Sequence, residues 1–244
     1  PQHLPETDHC DMAVYFRAAM QLSGDFYDIF ELPGNHLGVV MGDVSGKGVG
    51  SALFMALTRS LLRIFSGTFR PAGCPGPVPS HEGDFSPEKA LAGVGLINEY
   101  MATEHGRDRV FVTLFFGILN QDTGRLCCVN CGHEPILVLG KDGIRERIGA
   151  HGPVLGPLAD AEYPPQTLQL EPGDTLLGYT DGVTEARSGD REFYSSDRLD
   201  VVARDGAGLS ATALLDAVTR DLSVFTGEAA QSDDITLLAV KWKG

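Results

Sequence analysis

Residues 22–51 read LSGDFYDIFELPGNHLGVVMGDVSGKGVGS. Two apolar runs, 26–32 and 37–41, flank Pro33-Gly34-Asn35-His36, a turn signal between strand-like segments. Folded as a hairpin about Gly34, position i faces position 68 − i, which sets Asp25 opposite Asp43. Directly opposed side chains share a face and stand about 4.5–5.5 Å apart at Cβ. Two carboxylates that close raise one another's pKa unless a cation lies between them. In isolation such a pair reads most simply as two turn-end aspartates facing water. Here, however, Asp43 runs into Val44-Ser45-Gly46-Lys47-Gly48-Val49-Gly50, a glycine-dense turn whose backbone can approach an ion closely. Its carbonyl oxygens are hard ligands.

The chain of 244 residues is long enough for one large core, and it is expected to be a single domain with an insertion. Its net charge of −14 argues against a nucleic-acid partner, since that binding rests on Lys and Arg neutralising phosphates. No apolar run approaches the roughly 20 residues needed to span a bilayer, and the start has no secretory-leader pattern. Because the sequence begins at Pro1, it reads as a piece excised from a longer regulator. The five cysteines, Cys10, Cys74, Cys127, Cys128 and Cys131, are odd in number, and three of them crowd one apolar strand. They read as buried reduced thiols of a cytoplasmic protein, because Cys128-x-x-Cys131 has no second pair to complete a zinc site.

Outward from the hairpin, 12–17 is expected to be a first strand and 51–65 a helix capped by Ser51. That helix is apolar almost all round and so expected to be buried. Its positive end would aim at the glycine turn. Residues 67–85 hold eight Gly or Pro among nineteen, which reads as a flexible loop. Ser86-Pro87 opens a second helix through about 104. Short strands follow at 110–119, 126–131, 136–139, 144–148, 167–170, 175–179 and 235–240, with helices at 199–203 and 212–225. Hairpin spacings make the sheets mostly antiparallel, and the pattern predicts an α+β sandwich, not a βαβ repeat.

Two more acidic sites stand at strand ends. Asp181 follows the strand ending at Tyr179, and Asp233-Asp234 precedes the strand starting at Ile235. If those strands are antiparallel neighbours, Asp181 and Asp233 share one edge. An all-oxygen set without clustered His or Cys selects Mg²⁺ or Mn²⁺ over zinc or copper. Two such ions about 3.5–4 Å apart can activate a water for in-line attack on a phosphoryl group.

Taken in order, SGDFYD (23–28), GDVSGKGVGSALFMA (42–56), VNCGHEP (129–135), GPVLG (152–156), YTDGVTEAR (179–187) and SDDITLLAV (232–240) resemble the bacterial metal-dependent protein phosphatases of the stage II sporulation E and sigma-B-regulator (RsbU-like) type. These are the bacterial branch of the PPM, or PP2C, Ser/Thr phosphatases. The resemblance spans nearly the whole chain. It implies an α-β-β-α sandwich of two mostly antiparallel sheets flanked by helices, with two Mn²⁺ or Mg²⁺ ions at one edge. It also implies hydrolysis of phosphoserine or phosphothreonine by metal-activated water. Carried over, Asp43 would bridge both ions and the Val44 carbonyl would bind one. Asp25 would serve the second ion, and Asp181 and Asp233 the first, with Asp234 as substitute for Asp233. Asp28 is the weaker first-motif candidate, because hairpin parity puts it on the opposite face. The implied partner is a phosphorylated protein of the anti-anti-sigma (STAS) type, and in multidomain relatives a sensory domain precedes the phosphatase.

The chain departs from the eukaryotic pattern at Ser45, where those relatives carry a histidine thought to protonate the leaving alkoxide. Arg17, eight residues before Asp25, has only proximity to suggest a phosphate-binding role. Lys47 reads as an exposed loop lysine and His133 as a structural strand connector. A nucleotide-binding loop is excluded, because Gly42 to Lys47 is one residue short and Gly48 stands where Ser or Thr should follow. A two-metal nuclease should show a basic groove. The remaining rival is an interaction module that kept the fold and lost turnover.

Overall fold

The computed structural model describes residues 3–67, 85–106 and 110–244. Cys74 and nearly all of the Gly/Pro-rich stretch expected to be a loop lie outside the described residues.

Among the described residues ten strands form two five-stranded antiparallel sheets. One runs β1 (Cys10–Arg17), β10 (Ile235–Trp242), β9 (Thr175–Tyr179), β6 (Ile136–Gly140), β7 (Gly143–Ile148). The other runs β2 (Phe26–Leu32), β3 (His36–Val44), β4 (Val112–Asn120), β5 (Arg125–Cys131), β8 (Gln166–Gln169). Helices α1 (Val49–Phe65) and α2 (Pro87–His105) cover the β2–β8 sheet; α4 (Ser196–Asp205) and α5 (Ala211–Thr226) cover the β1–β7 sheet. A one-turn α3 (Asp181–Thr184) leaves the end of β9. The result is the expected α-β-β-α sandwich.

Strand alternation distributes the side chains among three apolar layers. On β2 and β3 the even positions Phe26, Phe30, Val40 and Val44 face α1 and α2, while Ile29, Leu37, Val39 and Met41 face the other sheet. On β9 and β10 the even positions Leu176, Leu238 and Val240 face the seam between the sheets, and Leu177, Tyr179, Leu237 and Ala239 face α4 and α5. This alternation decides where the acidic residues point.

The hairpin register is the one expected: Phe26 pairs with Gly42 and Leu32 with His36, each pair summing to 68. β9 and β10 are antiparallel neighbours, with Leu237 opposite Tyr179. α2 starts at its expected cap, with Ser86 Oγ accepting from Lys89 N–H and Pro87 at the first helical position.

α1 corrects two expectations. It begins two residues early, with Gly48 at the N-cap, and the Ser51 hydroxyl donates back to the Ser45 carbonyl instead of capping. Nor is α1 buried all round. Val49 and Leu53 are 64% and 66% exposed, because the helix lies on an outer layer and only one side meets the sheet. Its apolar circumference reflects surface composition, which periodicity alone does not distinguish from burial.

Candidate metal centre

Parity places Asp25 and Asp43 on the seam face of the β2–β3 hairpin, and Thr180 and Thr236 on the seam face of β9 and β10. The two faces meet at one end of the sandwich. Asp25 is buried, and its Oδ2 accepts from Thr236 Oγ1 at 2.6 Å and Thr180 Oγ1 at 2.7 Å. The threonines are themselves locked: Thr236 N–H donates to Thr180 Oγ1, and Thr180 N–H to the Thr236 carbonyl.

Asp234 is buried beside this group. Its Oδ1 accepts from Ala19 N–H at 2.7 Å and its Oδ2 from Gly24 N–H at 3.1 Å. Both oxygens therefore hold the 19–24 segment that leads into Asp25. Gly24 is required there, since a Cβ would stand 2.7 Å from the Val44 carbonyl oxygen. Gly182 is more constrained: its Cβ would fall 1.8 Å from the Asp234 carbonyl oxygen, so only glycine lets α3 lie against the start of β10. That approach brings Asp181 to the same rim as Asp233. Asp233 is half-buried, receives Asp234 N–H on Oδ1, and meets Lys47 Nζ at 3.0 Å through Oδ2. Lys47 Nζ also donates to the Ser232 carbonyl at 2.9 Å.

The electrostatics report how tightly these acids crowd. Burial raises Asp25 to about 8, with Asp43 and Asp234 adding to the rise and the two threonine hydroxyls opposing it. Asp43 is pushed up to about 7 by burial and then by Asp181 and Asp233, while a hydrogen bond with Asp25 pulls the other way. Asp181 is also raised, by burial, then Asp233 and Glu185. Asp25, Asp43, Asp181, Asp233 and Asp234 thus form one mutually repelling acidic group. As they stand, Asp43 is hydrogen-bonded to Asp25 and Asp233 is tied to Lys47. Among the described residues no three His, Cys, Asp or Glu side chains face one point closely enough to hold an ion. The donor chemistry nonetheless fits a hard cation. All the acids bear oxygen, several are raised by one another's charge, and Lys47 is the one ammonium that faces them among the described residues.

Asp28 stands apart, as parity predicts. It faces α1, where Arg63 Nε and Nη2 reach its two oxygens at 2.6 and 2.7 Å and Arg59 Nε joins at 3.0 Å. Burial would raise it, but the two guanidinium groups outweigh that and lower it. Ser45 Oγ accepts from Phe111 N–H at 2.9 Å, anchoring the glycine turn to β4's approach. His133 is buried; its Nδ1 lies 2.9 Å from Thr113 Oγ1, and Asn130 Oδ1 receives its N–H. Nε2 has no hydrogen-bond partner among the described residues, and burial drives the imidazole down to about 4, with the Tyr179 backbone opposing the fall. Cys10, Cys127, Cys128 and Cys131 are buried free thiols.

Thr180, Thr236 and the Lys47–Asp233 contact were not anticipated. The threonines were within reach of the strand alternation, carried one residue past β9 and two into β10. The lysine was not, since its partner lies 186 residues away.

A sequence profile described as Stage II sporulation protein E (SpoIIE) matches residues 33–243. Protein IcfG of Synechocystis sp. is 40% identical over 249 residues, taking in 98% of this chain and 39% of that protein. Phosphoserine phosphatase RsbU of Bacillus subtilis is 26% identical over 186 residues, 76% of this chain and 50% of RsbU. The chain therefore spans between about two fifths and half the length of these relatives. Among solved structures, the SiaA-PP2C domain of Pseudomonas aeruginosa is alike in fold, with a TM-score of 0.76 at 20% identity over 95% of this chain and 85% of that one.

Proposed function

This chain belongs to the stage II sporulation protein E family, and on that premise we propose that it is a metal-dependent protein serine/threonine phosphatase. The observation that carries the proposal is the meeting, at one end of the seam, of Asp25 and Asp43 from one sheet with Asp181 and Asp233 from the other. The raised pKa values of Asp25, Asp43 and Asp181 mark a site short of positive charge. Two Mn²⁺ or Mg²⁺ ions, when bound, supply the Lewis acidity that makes a water nucleophilic near neutral pH and neutralise the phosphoryl oxygens.

The chain's own residues divide the remaining work. Asp43, with the Val44 carbonyl, Asp25, Asp181 and Asp233 would hold the ions. Asp234, with both oxygens on backbone N–H groups, positions Asp25 and is the weaker ligand candidate. Thr180 and Thr236 fix which Asp25 oxygen points away from the protein hydroxyls and toward Asp43. Ser45 Oγ is engaged by Phe111 N–H, so another group or a water supplies the proton to the leaving alkoxide. The preferred substrate is a phosphorylated anti-anti-sigma (STAS-type) protein, and the site of action is the cytoplasm.

Incubation with p-nitrophenyl phosphate and then with phosphorylated STAS-type proteins, with and without Mn²⁺, tests the proposal. Release of phosphate only with metal supports it, and no release at any metal concentration removes the chemistry. A second reading, a weak or inactive module of the same fold, draws on one observation: Lys47 already neutralises Asp233.

A further inference from the structure

A cavity of about 180 Å³ opens between α5, the end of β1 and the segment after α3, and Gly182 and Ser232 form part of its wall. Those two residues are the chain neighbours of Asp181 and Asp233, so the cavity begins one residue, about 3.8 Å of backbone, from the acidic rim. It is a separate compartment, because its other lining comes from Arg17, Arg187, Thr219 and Ser223.

Among the described residues of its lining, the two arginines are the charged side chains, and no carboxylate stands with them. Arg17 extends from β1 on the same face as Ala13 and Tyr15, which pack with the α4–α5 layer. Arg187 lies over the Phe193 ring, its guanidinium carbon 4.5 Å from the ring centre. Stacking fixes the plane of the group while leaving its N–H donors free. Among the described residues neither arginine makes an ion pair, as is also true of Arg191, Arg204 and Arg220, whereas Arg59, Arg63, Arg125, Arg145, Arg147 and Arg198 do. Two exposed guanidinium groups without a carboxylate partner, lining one cavity in a chain of net charge −14, can receive an anion there.

The cavity is also rigidly coupled to the rim. Gln231 Nε2 donates to the Arg17 carbonyl and to the Asp233 carbonyl, both at 2.8 Å, and so staples the end of β1 to the loop that carries Asp233. An anion held by Arg17 and Arg187 is thereby held at a set distance from the acidic centre.

We propose that this cavity receives a carboxylate side chain flanking the phosphorylated residue of the protein substrate, and that Arg17 and Arg187 determine specificity for acidic sequences. The inference rests on the phosphatase reading and deepens it. The phosphate goes to the acidic rim; the flanking carboxylate goes to the arginines. An overall charge of −14 would repel such a substrate, and the cavity supplies the local attraction that orients it.

The test uses two phosphoserine peptides differing only in flanking residues, Asp/Glu in one and Gln/Asn in the other. Steady-state kinetics with Mn²⁺ are measured for the unaltered protein and for R17A, R187A and R187E. The expected result is a KM about tenfold lower for the acidic peptide, a preference lost in R187A through KM with kcat held, and inverted toward a Lys-flanked peptide in R187E. Equal KM values for the acidic and neutral peptides, or a loss in R187A that is the same for both, overturns the proposal. Unchanged melting temperatures separate these outcomes from misfolding. If p-nitrophenyl phosphate is not hydrolysed, the phosphatase reading falls, and fluorescence-anisotropy titration of the two labelled peptides still decides the cavity: equal affinities sink it, and an Arg187-dependent preference upholds it.

Discussion

The Thr236 hydroxyl donates to Asp25 Oδ2 at 2.6 Å across the seam between the sheets, joining residues 211 positions apart. Thr236 is fully buried, so valine fills its place with little steric change. T236V is expected to leave the fold intact and weaken Mn²⁺ binding about tenfold, the usual cost of losing a group that orients a metal ligand. Calorimetric titration with Mn²⁺ measures it, and an unaltered affinity would show that Asp25 needs no such support.

Asp43 lies at the centre of the crowded acids, facing charge from Asp181, Asp233 and Asp234. D43N is expected to lower Mn²⁺-dependent turnover at least about a hundredfold. It is also expected to raise the melting temperature of metal-free protein, since one of the repelling charges is gone. Thermal denaturation in chelator beside a turnover assay reads both effects, and retained activity would dismiss Asp43 as a ligand.

Lys47 and any cation compete for Asp233. The lysine is about half exposed, so its ion pair is worth little, and K47A is expected to tighten Mn²⁺ binding about two- to fivefold. Weaker binding in K47A would mean that the lysine assists, instead of opposing, the filled site.

His133 gives one part of the pH dependence. Burial depresses its folded pKa from 6.5 to about 4, so the folded state holds it neutral while the unfolded chain takes up a proton. Its contribution to stability is present above pH 6.5 and is lost as pH falls toward 4, a decline of about 3 kcal/mol in all. Asp25 and Asp43, both raised, shift stability the other way as pH falls, so the contribution is read as a difference. Urea denaturation at pH 7 and pH 4.5 should show the parent protein losing more stability, or gaining less, on acidification than H133Q. An identical slope in the variant would place the responsible proton elsewhere.

G182A forces a methyl group onto the Asp234 carbonyl, 1.8 Å away, with backbone on both sides of the clash. The expected cost is about 3 kcal/mol, together with a loss of metal affinity as Asp181 moves away from Asp233. A melting temperature near that of the parent protein would mean that α3 can retreat freely.

Much of this site was legible before any coordinates. The turn at 33–36 sets the hairpin register, and a period of two then decides that Asp25 and Asp43 share a face while Asp28 turns to Arg59 and Arg63. The shared edge of Asp181 and Asp233 needed only that β9 and β10 be neighbours, which they are. Long-range choices were not legible. Nothing near Lys47 in sequence announces Asp233, and nothing near Asp234 announces that it brackets Ala19 and Gly24. α1 misled because its composition is apolar on the exposed side as well. Local rules place residues on faces; which faces meet depends on how whole layers stack.

Asp25 and Asp43 ride on one sheet and Asp181, Asp233 and Asp234 beside the other. Among the described residues the bridges between these acids' surroundings are few: two threonine hydroxyls on Asp25, an Asp234 bond to Gly24 and the Lys47 contact with Asp233. Ions seated there would act as rivets through two plates. Slippage of one plate along the other by a fraction of an ångström would pull the rivet holes out of line. Any influence that shears the layers, however distant, is therefore an influence on catalysis.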